Sequence, residues 1–97
     1  MVFLGMTRVE KYGLILGALG AERQIDICIE ECAELIKALC KYKRKGAGDK
    51  ETIENLRDEI ADVLNMANQM EYIFGVDEIE KIVDAKLDRA ISRYVKK

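Results

Sequence analysis

The chain has 97 residues, 49% of them apolar and 35% charged, with a formal net charge of −2. So short and balanced a chain supports one hydrophobic core and a single domain across residues 1–97; its composition excludes a disordered class and offers no global attraction to a nucleic-acid polymer. Histidine is absent, so no Ser/His or Cys/His nucleophile can be assembled, and any metal site must use carboxylates or thiolates.

Proline is absent too, which suits long uninterrupted helices, and glycine supplies the punctuation. Thr7-x-x-Glu10 is a capping box that predicts a first helix running toward Gly20. The second and longest pattern covers Glu22 to Lys45 and stops at Gly46-Ala47-Gly48-Asp49, where Gly46 and Gly48 permit left-handed conformations. Asp49 or Thr52 caps a third helix that continues to Phe74. Asp77-x-x-Glu80 is a second capping box, opening a fourth helix toward Tyr94. No strand pattern with a period of two is present. Short connections predict an all-α, antiparallel helical bundle, and so small a core predicts further burial between copies.

Cys28, Cys32 and Cys40 fall on or beside the apolar side of the second helix. An odd, buried set reads as reduced core thiols of a cytoplasmic protein, and Cys28-x-x-x-Cys32 lacks the second pair that a thiolate metal site needs. There is no basic leader followed by a long apolar run, and no apolar run long enough to span a membrane.

The informative residues are acids in the wrong place. Each helical residue turns about 100° from the last. On that wheel Cys28, Ile29, Cys32, Leu35, Ile36, Leu39 and Cys40 form a broad apolar arc extended by Ile27 and Ala38. Glu31 falls inside it, with Glu34 at the rim, whereas Glu30, Lys37 and Lys41 point away. In the third helix Glu59 lies between Met66 and Met70, with Asp62 at the rim and Asn68 on the far side. Glu31, Glu59 and Asp62 have no basic residue three or four positions away, so intrahelical ion pairs do not account for them. A shared cation does. Two carboxylates three residues apart are separated by about 4.5 Å of helix rise and can converge on one ion. Oxygen-only ligation selects Mg²⁺ or Mn²⁺, and magnesium commonly takes its remaining ligands from phosphates, which makes a polyphosphate the expected substrate class.

Glu31-x-x-Glu34, followed after 24 intervening residues by Glu59-x-x-Asp62, resembles the signature of the MazG-like, all-α nucleoside triphosphate pyrophosphohydrolases. The surrounding segments IEECAELIKAL and DEIADVLNM resemble that family's two metal-binding helices, and KLDRAISRY resembles the segment that follows them. The likeness covers about residues 22–94. It implies Mg²⁺-dependent hydrolysis of a nucleoside triphosphate between the α and β phosphates, giving a monophosphate and pyrophosphate, in a homodimer or homotetramer. By match to the motif, Glu31, Glu34, Glu59 and Asp62 are the metal ligands. Glu34 is the first choice for orienting the attacking water, a role that spacing does not separate from ligation.

In the fourth helix Ile79, Ile82, Val83, Leu87, Ala90 and Tyr94 form an apolar stripe. Lys86 lies within it, with Arg89 and Arg93 on the same flank, and these cations are candidates for the triphosphate. Lys and Arg can equally snorkel to solvent from such positions. The basic run Lys41–Lys45 is accounted for by the helix dipole. Tyr12, Tyr42, Tyr72 and Tyr94, with Phe3 and Phe74, are expected in the core or an interface. Asn65 and Asn68 have the chemistry to read a base edge. The alternatives are a phosphoribosyl-ATP pyrophosphohydrolase and a non-catalytic helical module whose apolar faces bind partner helices.

Overall fold

A computed structural model describes residues 3–95, and within them every regular element is helical: α1 (Arg8–Leu19), α2 (Ala21–Lys45), α3 (Lys50–Phe74) and α4 (Val76–Tyr94). The first capping box forms as expected. The Glu10 N–H donates to the Thr7 hydroxyl at 3.1 Å, and the Thr7 N–H donates to the Glu10 carboxylate at 3.2 Å. Helix α2 ends at Gly46, whose φ of 87° reverses the chain while its N–H closes on the Tyr42 carbonyl at 2.8 Å. Asp49 occupies the cap position of α3, but its carboxylate accepts from the Thr52 hydroxyl and not from the backbone.

The second capping box does not form. Helix α4 begins one residue before Asp77, with Gly75 as the cap at φ 113° and its carbonyl accepting from the Ile79 N–H at 3.2 Å. Asp77 and Glu78 therefore sit inside the first turn, where acids complement the positive end of the helix. Glycine's freedom at positive φ moved the helix start away from the residue with capping chemistry.

Helices α2 and α3 form the main contact, α1 lies against both, and α4 touches α3 alone. Glu31 meets Asp62, Glu34 meets Glu59, and Ala38 and Lys41 share a cleft with Asn55 and Glu51. Ascending positions on α2 thus face descending positions on α3. Gln24, seven residues before Glu31, comes level in this register with Gln69, seven after Asp62. Seven residues are close to two turns, so both glutamines return to the seam, and both are buried.

The seam follows one edge of the apolar arc of α2, and this corrects the expected core. Ala38 is 3% exposed and Leu35 is half-buried, but Ile29 and Ile36 are each 63% exposed. Cys28 is half-buried, while Cys32 and Cys40 are exposed, so the thiols are free but do not form a buried set. One helix can cover only part of an arc this broad. Along α4, Ile79 and Ala90 are half-buried and no residue is buried.

Two dimensions express the same openness. The chain exposes 7776 Å² of surface, against about 5600 Å² for a compact monomer of its mass. Its radius of gyration is 16.5 Å, against about 12.5 Å for a compact domain of this length. No described helix is long and apolar enough to cross a membrane.

Candidate metal centre

The α2–α3 seam brings together Glu31, Glu59 and Asp62, each offering one carboxylate oxygen, with these atoms all within 4.8 Å of one another. Glu31 and Glu59 are half-buried and Asp62 is exposed, so the group sits at the mouth of the seam. Glu59 Oε2 is itself buried and has no hydrogen-bond partner. An orphaned carboxylate oxygen is costly unless something positive or protic meets it.

The electrostatics agree. Burial pushes the Glu31 carboxyl above the ordinary glutamate range, and the charge of Asp62, a side-chain hydrogen bond with Asp62, and the charges of Glu59 and Glu34 push it further. Glu59 is raised by burial first and then by Asp62, Glu34 and Asp58. The charges acting most strongly on both residues are negative. An acid cluster arranged in this way is relieved by a proton or by a cation.

Glu34 lies beside this group, near Glu59, but is not one of the three. It is exposed and lines an open cleft of about 290 Å³ with Lys37, Ala38, Lys41, Glu51, Asn55 and Glu59. Lys37 and Lys41, expected to point away, flank the same opening as Glu34 and Glu59. Glu34, Lys37 and Lys41 are neighbours along one helical ridge, at spacings of three and four, and that spacing is the signal by which they could have been found. The cluster thus borders a cleft with cations on its rim.

Lys86, Arg89 and Arg93 are exposed on α4. Among the described residues that helix packs on α3 alone, and nothing there sets these cations against the α2 side of the cluster. The Arg93 guanidinium lies 5.9 Å from the Tyr94 ring centre.

Beside the cluster, on the side of α3 facing α1, the Tyr12 hydroxyl donates to Asn65 Oδ1 at 2.9 Å, and the Asn68 amide donates to the Tyr12 oxygen at 3.5 Å. Tyr12 is buried, with its ring centre 6.3 Å from that of Tyr72. Gln69 Nε2 donates to the Asn65 carbonyl at 3.3 Å and fixes the backbone beneath. Asn65 and Asn68 thereby share one partner, Tyr12, which the helical wheel of α3 alone does not reveal. Compared with known proteins, the chain matches no family model, no curated protein and no solved structure.

Proposed function

We propose that the protein is a Mg²⁺-dependent nucleoside triphosphate pyrophosphohydrolase of the MazG-like, all-α type, with Mn²⁺ as a substitute ion. The reading is carried by one observation: acids from two helices meet within 4.8 Å at the mouth of a seam, and one of their oxygens is buried without a partner. Three carboxylates with no nitrogen or sulfur donor fit a hard divalent cation. Glu31, Glu59 and Asp62 would hold it, with Glu34 completing the set from the adjoining cleft. Such an ion, when bound, supplies positive charge to phosphate oxygens and acidifies water.

The chain's own groups divide the remaining work. Glu34, exposed in the cleft, orients the attacking water and accepts its proton. The water oxygen bonds to the α-phosphorus while the α–β anhydride breaks, releasing nucleoside monophosphate and pyrophosphate. Lys37 and Lys41 on the cleft rim offset charge on the departing pyrophosphate.

The excess exposed surface and the uncovered faces of α2 and α4 support a homodimer or homotetramer that completes an antiparallel bundle. In such an assembly Lys86, Arg89 and Arg93 of one copy reach the triphosphate bound by another.

The test is to supply deoxynucleoside triphosphates with Mg²⁺ and assay pyrophosphate. Release is expected from the wild type and is expected to fall on the order of 100-fold in Glu59→Gln. Release that survives this substitution unchanged overturns the assigned site.

A further inference from the structure

Glu59, Asp62, Asn65 and Asn68 are spaced three apart on α3, so they follow one ridge that winds about 60° and rises about 4.5 Å at each step. The ridge starts in the α2–α3 seam, at the acid cluster, and ends at a cleft of about 390 Å³ lined by Arg8, Tyr12, Ala61, Leu64, Asn65 and Asn68. From Asp62 to Asn68 the rise is about 9 Å. That span suits the sugar between a phosphate held at Asp62 and a ring held beyond it.

The hydrogen bonds in this cleft define what its amides still offer. Asn68 gives its amide N–H to Tyr12, and Tyr12 gives its hydroxyl proton to Asn65 Oδ1. The Asn65 amide is left as a donor and the Asn68 carbonyl oxygen as an acceptor, with the second Asn68 N–H a further donor beside them. Burial of Tyr12 and its contact with Tyr72 hold this chain of bonds in one orientation. Asn68 is half-buried and Asn65 is exposed, so the donor and acceptor lie at an accessible surface. Arg8, exposed at the mouth, adds a planar cation able to stack on a ring.

We infer that the Tyr12–Asn65–Asn68 cleft is the base-reading site of the protein, taking the hydrogen-bonding edge of a nucleobase whose phosphates lie toward Asp62. This rests on the nucleotide reading above and names the residues that would contact the base. Adjacent donor and acceptor groups match the lactam edge of uracil, thymine, hypoxanthine or guanine and the amidine edge of adenine or cytosine, so the wild-type pair accepts any base by turning its ring. Asn65→Asp keeps the acceptor that Tyr12 needs and replaces the free donor with a second acceptor. The double-donor edge of guanine then gains over every other base.

Two measurements test the assignment. In NMR titrations without divalent cation, nucleoside 5′-monophosphates are expected to shift the side-chain amide signals of Asn65 and Asn68, whereas ribose 5-phosphate leaves them in place. In turnover, Asn65→Asp is expected to raise kcat/KM for guanine nucleotides relative to the other bases by about tenfold. Amide signals that move equally with ribose 5-phosphate, or with neither probe, overturn the cleft. So does an unchanged preference in an active Asn65→Asp variant. Monophosphates that shift the amides of a protein releasing no pyrophosphate keep the cleft and remove the hydrolysis. Glu59-dependent release with an unaltered base preference does the reverse.

Discussion

The α2–α3 seam and the outer face of α4 are built from amphipathic helices of the same kind, yet the seam hides polar side chains while α4 leaves apolar ones bare. In the seam the most hidden side chains include Gln24, Thr52 and Gln69, with two half-buried glutamates between them. On α4, Leu87 is 58% exposed and no residue is buried. Ordinary folding places leucines inside and carboxylates outside. A seam that inverts the rule stores electrostatic cost where a ligand can relieve it, and a bare apolar face stores surface where another copy can cover it. The first difference points to chemistry and the second to assembly.

The comparison can be broken from either side, and the largest effect is expected in the seam. Ala38→Glu places a charge at a site that is 3% exposed and is expected to cost on the order of 3–5 kcal/mol, enough to unfold much of the protein by circular dichroism. Leu87→Glu, the same kind of change on α4, is expected to leave helicity intact and, in the homo-oligomer proposed above, to lower the particle mass in sedimentation toward the 11.0 kDa of one chain. Equal loss of helicity in both variants would erase the distinction drawn between the two regions.

Acidity sharpens the same contrast. Glu31 and Glu59 protonate more readily folded than unfolded, so the metal-free protein binds extra protons on folding above the ordinary glutamate value of 4.5. Its stability therefore falls as pH rises from that value through the raised values of the folded state, and levels off beyond them. Urea midpoints at about pH 5 and about pH 7 are expected to favour the acidic sample without metal and to reverse with saturating Mn²⁺, whose ligands must be deprotonated. Midpoints insensitive to both pH and Mn²⁺ would speak against a strained acid cluster.

The smallest effect belongs to the start of α1, which lies outside both regions. Thr7→Ala removes one half of the capping box and is expected to cost about 1 kcal/mol, seen as a drop of about 5 °C in melting temperature. Mn²⁺ binding is expected to be unchanged by it.

The sequence by itself determined the four helices, because glycine punctuation and a period near 3.6 act through local backbone forces. It also singled out Glu31, Glu59 and Asp62, since an acid in an apolar arc with no cation one turn away has no local partner. Local reasoning failed where a backbone preference or a neighbour intervened: Gly75 took the cap from Asp77, and α3 covered one edge of the α2 arc, leaving Ile36 and Cys32 outside. Only the tertiary structure placed Glu34 in a cleft with Glu59, turned Lys37 and Lys41 onto that cleft, and joined Tyr12 to Asn65 and Asn68 across more than fifty residues of chain. Those outcomes depend on the rotation of one helix against another, which many side chains settle together and no single helix encodes.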